Sequence, residues 1–307
     1  MNHITWLHLS DLHFHSDEIH RGAVEGYNQN VVLDNLLDDL CTYPSEHDLV
    51  IDFIIITGDI AFSGQADEYM LAVCFLDKLR EIFSLPKNRL FIVPGNHDVD
   101  RGKINPHFNF SLNGRDDINS FLLNSEAKQV YFKKFNGYRY FINKYFGCGL
   151  EFDYVNRYFW ARKFSLKGTE IGLLGLNSAW NSSGDTDKNH LLIGEKQVRD
   201  ALKQVGQTDL CIATFHHPLE WLRDDDKEDV RRELSGKAQF ILHGHLHKPG
   251  IIFEATPDAS FIVIPAGATY ENRLYTNSYN YLSINRVTSQ KICGKKKKQV
   301  LVKPIFL

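Results

Sequence analysis

Residues 90–98 read LFIVPGNHD, so four apolar residues and a proline lead directly into a Gly-Asn-His-Asp cluster. A short, unalternating run rich in Ile, Val and Phe is typical of a strand buried on both faces. The polar cluster then lies beyond the carboxyl end of the strand, where α/β proteins carry their function. The same succession of apolar run and polar cluster recurs along the chain: Ile4–Leu9 before SDLH, Phe53–Ile56 before TGD, Ile171–Leu176 before NSAW, Leu210–Phe215 before HHP and Phe240–Leu242 before HGHLH.

Helical periodicity occupies the linkers between these runs. Strands alternating with helices predict α/β layers, with the polar clusters gathered at one edge of a sheet. After residue 250 the apolar runs follow one another without a long helix, which predicts an antiparallel closing section. The helical positions are Val32, Leu33, Leu36, Leu37 and Leu40 in one linker and Met70, Leu71, Cys74, Leu79 and Ile82 in the next; the late runs are Ile251–Phe253, Phe261–Ile264, Tyr279–Asn285 and Val300–Val302.

Residues 102–166 do not fit the alternation, because they separate two predicted core strands by far more than an ordinary connection. We therefore predict an inserted, mainly helical cap that is rich in aromatic and basic residues. Its aromatic face either packs onto the core or forms a wall toward a ligand. That face has helical spacing, with Gly147 as its predicted C-terminal stop, and consists of Tyr131, Phe135, Tyr138, Ile142 and Tyr145.

The composition is that of an ordinary globular protein, with 307 residues, 43% of them hydrophobic and 24% charged. It excludes wholesale disorder, collagen-like repeats and coiled coil. The five cysteines are scattered and never form C-x-x-C, which argues against a disulfide framework and fits a reducing cytosol. The N-terminal residues lack the pattern of a targeting segment, and no apolar stretch is long enough to span a membrane. We expect a cytoplasmic protein with no membrane partner.

The net charge of −3 conceals a segregation of charge along the chain. Residues 128–167 carry +7 and residues 286–303 carry another +7, which leaves −17 for the remainder. This pattern indicates either an anionic partner on one face or two solvated basic surfaces. Within the second segment, Gly294–Lys298 (GKKKK) is interpreted as a solvated hairpin turn.

The polar clusters supply carboxylates, imidazoles and an amide oxygen, without a thiolate. Such donors suit Mn, Fe or Zn in near-octahedral sites rather than a closed structural zinc site. They outnumber the ligands of one catalytic zinc, whereas two ions about 3.5–4 Å apart can share a carboxylate. Extended backbone points residues two apart the same way, so Asp11 with His13 and His245 with His247 are expected to bind as pairs. The candidate ligands are Asp11, His13, Asp59, Asn96, His216, His245 and His247.

Two divalent cations held by two aspartates keep a net positive charge, which attracts an anion such as phosphate. Isolated histidines such as His8, His107 and His243 are interpreted as packed or surface residues rather than ligands.

In chain order the clusters read D-x-H, G-D, G-N-H-D, a histidine and G-H-x-H, from Asp11 to His247. This order resembles the calcineurin-like metallophosphoesterase superfamily. The resemblance implies a four-layer α/β/β/α sandwich with a dinuclear metal centre at one end. It implies a single domain over 1–307, with the cap 102–166 inserted within it.

The resemblance also implies a distribution of the ligands over two ions. In H-H-P the family uses the first histidine, which selects His216 and leaves His217 as a neighbour. One ion is expected on Asp11, His13, Asp59 and His247, and the other on Asp59, Asn96, His216 and His245, with Asp59 bridging.

The activity that the resemblance implies is hydrolysis of a phosphate ester by a metal-generated hydroxide. His97 is expected to face the phosphate, where it stabilises developing charge or protonates the leaving oxygen. Asp98 is expected to fix the tautomer of His97. Arg101 either contacts phosphate or forms a salt bridge with Asp98 or Asp100.

The leading interpretation is a metal-dependent phosphodiesterase acting on a nucleotide or nucleic acid. Cap lysines and arginines would neutralise phosphates while aromatic residues, Trp160 among them, stack on bases. Phosphomonoesterase and protein phosphatase activities stay open, because the motifs do not separate them. A protein-binding or effector module, alone or in a larger assembly, is the alternative from another class. The sequence leaves the oligomeric state open.

Overall fold

The computed structural model describes residues 3–16, 29–104, 112–147, 158–184, 186–255, 260–270, 277–285 and 300–306. Two β-sheets pack face to face across an aromatic core. Trp6 of the first sheet meets Phe240 of the second with ring centroids 5.7 Å apart, and Phe53 meets Phe164 at 5.9 Å. Large aromatic side chains from both sheets thus fill the interface between them.

The first sheet has the strand order β11-β10-β1-β2-β3. Its three leading strands run parallel, whereas β10 is antiparallel to β1 and β11 is antiparallel to β10. The strands are β1 (His3–Leu9), β2 (Phe53–Ile56), β3 (Leu90–Ile92), β10 (Ser278–Asn285) and β11 (Val300–Phe306).

The second sheet has the strand order β4-β5-β6-β7-β9-β8. Its four inner strands run parallel, and the two edge strands β4 and β8 are antiparallel to their neighbours. The predicted antiparallel closing section is confirmed where β8 pairs with β9 and where β10 pairs with β1 and β11, but β9 also pairs in parallel with β7. The strands are β4 (Trp160–Leu166), β5 (Thr169–Gly175), β6 (Leu210–Thr214), β7 (Phe240–His243), β8 (Ile252–Ala255) and β9 (Ser260–Pro265).

Helices cover the outer face of each sheet. On the first sheet, Tyr43 of α1 stacks on Tyr281 of β10 with 5.7 Å between ring centroids. On the second, α6 lies against β4 and β5. The predicted four-layer α/β/β/α sandwich is confirmed. The helices are α1 (Gln29–Glu46), α2 (Ala66–Ile82), α3 (Arg115–Leu123), α4 (Ser125–Tyr131), α5 (Asn136–Phe146), α6 (Glu195–Val205) and α7 (Asp224–Leu234). No helix of the described residues is long and apolar enough to cross a membrane.

Helix α2 buries a different face from the one that the sequence spacing suggests. Met70 is 66% exposed and Cys74 is also exposed, although both belong to the predicted apolar set. Tyr69 is buried instead, and its hydroxyl donates to Asp98 Oδ1 at 3.0 Å. The aromatic and leucine face of the helix, which carries this polar contact, therefore meets the core in place of Met70. The buried hydrophobic residues are Tyr69, Ala72, Phe75, Leu76 and Leu79.

The described part of the insertion is helical, and its aromatic face packs onto the core. Phe141 stacks on Tyr69 with ring centroids 4.9 Å apart, and Tyr138 lies 6.1 Å from the same ring. A 3-10 turn over Phe132–Phe135 divides the single predicted helix into α4 and α5. Gly147, with φ +74°, follows α5 as the predicted stop. Of the two alternatives for this face, the structure therefore shows core packing.

Trp160 belongs to the second sheet and not to the cap. It is the first residue of β4, it is buried, and its indole Nε1 donates to the Ile92 carbonyl at 2.7 Å. The expected cap boundary at residue 166 is therefore too late, because residues 160–166 pair with β5. Its burial also prevents Trp160 from stacking on a nucleobase.

Several basic residues of the positive segment 128–167 are occupied within the fold. Lys128 is buried, and Lys167 pairs with Asp52 at 2.8 Å. These contacts remove part of the basic surface that was expected to meet an anion. The second positive segment is described only at 300–303, so Gly294–Lys298 lies outside the described residues.

Lys134 is the most deeply buried cation of the insertion's described residues, with 1% of its surface exposed. Its Nζ donates to the Ser182 carbonyl at 2.8 Å and lies 4.4 Å from the centroid of the Tyr131 ring. Its own carbonyl accepts from the Asp100 amide at 2.8 Å. Burial lowers the pKa of Lys134 to about 7, although the carboxylate of Asp187 acts in the opposite direction.

We predict that Lys134→Met removes a pH dependence of stability. Unfolded lysine keeps its proton up to about pH 10.4. The folded form releases it above about pH 7. The free energy of unfolding of the wild type therefore rises from pH 7 to 10, by at most about 1.4 kcal/mol per pH unit. The stability of Lys134→Met relative to wild type should fall over this range in urea titrations. Exposed Lys133→Met is the control, and parallel pH profiles of Lys134→Met and wild type would contradict the prediction.

Candidate metal centre

The loops after β1 and β2 run side by side beyond the ends of their strands. The Asp11 amide donates to the Gly58 carbonyl at 3.1 Å, and the Leu12 and His13 amides both donate to the Asp59 carbonyl at 2.9 Å. This pairing extends the parallel sheet by several residues. It places Asp11, His13 and Asp59 at one edge of the first sheet.

Five of the seven candidate ligands have left-handed backbone. The φ angles are 57° for Asp11, 48° for His13, 53° for Asp59, 68° for His245 and 53° for His247. The premise that each pair lies on extended backbone is therefore wrong. Asp11 and His13 belong to one group of donors, which His247 joins, whereas His245 lies beside His216 and His217. Left-handed backbone costs about 1 kcal/mol or more per residue outside glycine, and strain of this kind concentrates at functional sites.

The first group of donors consists of Asp11, His13 and His247, whose ligand atoms lie within 4.8 Å of one another. Asp11 Oδ1 is 3.2 Å from His247 Nε2 and 3.9 Å from His13 Nε2. The Asp11 Oδ2 atom accepts the His245 amide proton at 3.1 Å. This contact joins the loop after β1 to the loop after β7, so it connects the two sheets.

The second group surrounds Asp59 and His216. His216 Nε2 lies 3.1 Å from Asp59 Oδ2 and 3.1 Å from Asn96 Oδ1. The His245 ring lies 5.2 Å from the His216 ring, and Asp11, Asp59 and His216 again have ligand atoms within 4.8 Å. The fold thus brings all seven residues named from the sequence into one cluster.

The donor spacings within the cluster suit a divalent ion. Donors at right angles on an ion, each bonded at about 2.1 Å, lie about 3.0 Å apart. His216 Nε2 lies 3.1 Å from both Asp59 Oδ2 and Asn96 Oδ1, which matches this spacing. His13 Nδ1 is buried and has no hydrogen-bond partner among the described residues, as expected of an atom reserved for a ligand. The mixture of carboxylate, imidazole and amide oxygen suits catalytic divalent metals.

Charge within the cluster is balanced between imidazole and carboxylate. Burial alone would raise the pKa of Asp59, but His216 and His97 hold it well below its usual range. Burial lowers the pKa of His216, and Asp59 then raises it to about 9. The Nδ1 of His216 donates to the Thr57 carbonyl at 2.7 Å, which directs Nε2 into the cluster. Such a backbone acceptor is the usual means of orienting a metal-binding histidine.

His97 and Asp98 differ from the expected pair. The His97 Nδ1 donates to the Phe62 carbonyl at 2.7 Å, so Phe62 and not Asp98 fixes its tautomer. Both oxygens of Asp98 are occupied by the Tyr69 hydroxyl and by backbone amides. Asp98 is therefore a structural anchor of the loop, and burial followed by the charge of Asp59 raises its pKa to about 6. The expected role of Asp98 is wrong, because the Nδ1 of His97 bonds to the Phe62 carbonyl and not to Asp98.

Comparison with known proteins agrees with this geometry. The sequence profile of the calcineurin-like phosphoesterases matches residues 4–249. The chain belongs to the calcineurin-like phosphoesterase family. An uncharacterized metallophosphoesterase-like protein of Bacillus subtilis (strain 168), YydB, is 24% identical over 293 residues, which are 92% of this chain and 57% of that protein. The chain thus spans little more than half the length of this curated relative.

Two solved structures resemble the fold of this calcineurin-like phosphoesterase. A hypothetical protein from Thermus thermophilus has a TM-score of 0.45 at 13% identity, with 99% of both chains covered. The purple acid phosphatase PPD1 from yellow lupin (Lupinus luteus) has a TM-score of 0.48 at 11% identity, covering 92% of this chain and 49% of that one.

Two glycines of the phosphoesterase motifs are required by close approach between loops. A Cβ on Gly95 would overlap the Asp59 carboxylate, and a Cβ on Gly244 would overlap the Ser10 hydroxyl. Each glycine therefore lies directly against a residue of a different motif. The loops interlock at these points, which explains why glycine precedes Asn96 and His245.

The surroundings contain residues that the sequence interpretation missed. His217 is buried, with Nε2 at 3.0 Å from Asn96 Oδ1, so both histidines of H-H-P reach the cluster. Half-buried Trp221 packs edge-on against His245, with 4.0 Å between ring centroids. The pair of histidines was itself visible in the sequence, whereas Trp221 lies in the 3-10 turn Leu219–Trp221 just after H-H-P and carries no metal-type donor.

The remaining sequence assignments fall outside the cluster. Arg101 is exposed, and the Asp100 carboxylate, one of its two expected partners, pairs with Lys103 at 3.0 Å. His8 lies in the packed interior, where its Nε2 meets the Thr57 hydroxyl at 3.0 Å. His107 lies outside the described residues.

We predict that Gly95→Ala disrupts metal binding, because the new methyl group displaces the Asp59 carboxylate. Affinity for Mn²⁺ or Zn²⁺ should fall by about tenfold or more. Overpacking should also lower the free energy of unfolding by about 1–3 kcal/mol. Calorimetric metal titration and urea unfolding measure the two effects. Gly114→Ala is the control, since nothing lies within 4 Å of its Cβ position. Unchanged metal affinity in Gly95→Ala would show that Asp59 is not a ligand.

Proposed function

We propose that this protein is a phosphodiesterase that uses two divalent ions, Mn, Fe or Zn, to hydrolyse nucleotide or nucleic-acid diesters. The observation that carries the proposal is the convergence of loops from both sheets on one cluster of seven metal-type donors. Membership of the calcineurin-like phosphoesterases supports a phosphate ester as the substrate. Preference for a diester and for a nucleotide is our inference from the residues around the cluster.

In this proposal the donors divide between two ions that share Asp59. When bound, such ions supply positive charge for the phosphoryl oxygens and lower the pKa of a nucleophilic water. The buried carboxylates of Asp11 and Asp59 would neutralise part of the charge of two divalent ions. The positive charge that remains favours an anionic substrate. Asp11, His13, Asp59 and His247 would hold one ion, and Asp59, Asn96, His216 and His245 the other.

His97 is the proposed catalytic acid. Its backbone amide donates to Asp59 Oδ1 at 2.8 Å, and its ring lies 4.7 Å from the His13 ring, so it stands beside the cluster. Because Nδ1 donates to the Phe62 carbonyl at 2.7 Å, Nε2 is the nitrogen left for the substrate. Protonated at Nε2, this half-buried imidazole can donate to a phosphoryl oxygen or to the leaving oxygen.

Aromatic surfaces beside the cluster support a nucleotide substrate. Phe62 is 41% exposed and lies 5.2 Å from the His97 ring, while Trp221 packs against His245. Rings in these positions offer a stacking surface for a base attached to the phosphate. The support therefore comes from Phe62 and Trp221 and not from the cap aromatics that are buried in the core.

We predict that the purified protein with Mn²⁺ cleaves diesters at least about tenfold faster than monoesters, because the preference rests on binding a second ester group. Bis- and mono-nitrophenyl phosphate, cyclic nucleotides, glycerophosphocholine and labelled oligonucleotides form the substrate panel. Among the natural diesters, cyclic nucleotides and oligonucleotides should be hydrolysed faster than glycerophosphocholine.

Asp59→Asn is the blank for this panel and exposed Asp34→Asn the matched control. Equal hydrolysis in wild type and Asp59→Asn would indicate a contaminant. A monoester preference would demote the diesterase proposal. Absence of both bound metal and hydrolysis would favour a protein-binding module.

We predict that His97→Ala retains both ions but lowers kcat by about 10²–10⁴-fold, because a general acid is lost while the ligands remain. Metal content by mass spectrometry and kcat for the best substrate are the measurements, with exposed His190→Ala as control. His97 has a ligand atom within 4.8 Å of those of His13 and Asp59. Loss of one ion in His97→Ala would therefore reassign it as a ligand.

A further inference from the structure

Both histidines of the H-H-P motif face the metal cluster. His217 is 1% exposed, and its ring lies 4.7 Å from that of His216 and 4.7 Å from that of His245. The ligand atoms of these three histidines lie within 4.8 Å of one another. A completely buried imidazole in such a place needs a defined partner for each ring nitrogen.

Ser178 determines the direction of the His217 ring. Its Oγ accepts the His217 amide proton at 3.0 Å and lies 2.9 Å from Nδ1. A serine oxygen has two lone pairs, so it can accept the Nδ1 proton as well. With the proton on Nδ1, Nε2 would carry the free lone pair, at 3.0 Å from Asn96 Oδ1. The Thr57 carbonyl orients His216 in the same way, through Nδ1 at 2.7 Å.

The position of His217 Nε2 matches that of a ligand. It is 3.0 Å from Asn96 Oδ1, and the neighbouring separations from His216 Nε2 to Asn96 Oδ1 and to Asp59 Oδ2 are both 3.1 Å. Donors at right angles on one ion, at about 2.1 Å each, are about 3.0 Å apart. The spacing of His217 Nε2 from Asn96 Oδ1 thus equals, within 0.1 Å, the spacings of His216 Nε2 from Asn96 and Asp59.

We propose that His217 is an additional ligand of the ion held by His216 and His245. The inference rests on the metal centre proposed above and departs from the pattern that uses only the first histidine of H-H-P. One ion then has three imidazoles and shares one carboxylate, whereas the other has two imidazoles and two carboxylates. Imidazole-rich sites favour Zn²⁺, Co²⁺ or Fe²⁺, and carboxylate-rich sites tolerate Mn²⁺ or Mg²⁺. The two ions therefore differ in identity, with the three-histidine position filling first with Zn²⁺.

The test measures metal binding and coordination without any substrate. Metal-stripped protein is titrated with Zn²⁺ by calorimetry, and X-ray absorption at one equivalent counts the imidazoles on the ion. Wild type should show three imidazoles on the first zinc, and His217→Asn two. The affinity for this first zinc should fall by about 100-fold or more in His217→Asn. Binding of the second ion should change little.

Two further variants complete the experiment. Ser178→Ala keeps the imidazole but frees the ring, so the first zinc should bind about tenfold more weakly. Exposed His190→Asn is the matched control and should behave as wild type.

Two imidazoles on the first zinc of wild type would overturn the proposal and show that His217 only orients Asn96. Equal affinity in wild type and His217→Asn would overturn it as well. The imidazole count of wild type decides the matter even if His217→Asn fails to fold. Failure of wild type to bind any zinc would instead refute the metal centre itself.

Discussion

The burial of the Asp59 carboxylate is the interaction on which the arrangement of the loops depends. Its exposure is 1%, and a buried charge is tolerated only where donors or cations compensate it. Oδ1 accepts the His97 amide at 2.8 Å, Oδ2 meets His216 Nε2 at 3.1 Å, and the Asp59 carbonyl accepts two amides from the loop after β1. A single residue at the end of β2 thereby joins loops from β1, β3 and β6, and with them the two sheets.

Much of this architecture could be predicted, because the information is local in the sequence. Strands that are buried on both faces have unbroken apolar sequences. Parallel strands bring their carboxyl ends to the same edge of the sheet, whatever the length of the connection between them. The layers and the gathering of seven donors follow from these two facts. Family membership agrees with the motif order from Asp11 to His247. The roles of the individual donors remain proposals, since they depend on bound ions.

What the sequence could not reveal depends on contacts between distant residues. Left-handed turns at Asp11 and His245 follow from hydrogen bonds between loops, so a local rule for extended backbone fails there. Asp98 follows His97 directly, yet its oxygens are occupied by amides from residues 60, 61 and 95. The second histidine of H-H-P is directed by Ser178, which is 39 residues away. The buried face of helix α2 carries the contact of the Tyr69 hydroxyl with Asp98, which hydrophobic spacing does not record.

The buried side chain of Lys134 has a consequence for the rigidity of the insertion. The insertion is tied through its carbonyl to the Asp100 amide, just after the G-N-H-D motif, and through its ammonium to the Ser182 carbonyl beyond β5. A hinge movement of the 3-10 turn would break both hydrogen bonds and leave the buried Nζ of Lys134 without its acceptor, at a cost of about 1–3 kcal/mol. The turn is therefore a fixed brace between the loops of the two sheets. The loop after the G-N-H-D motif and the loop after β5 are therefore held to one common element, the described part of the insertion.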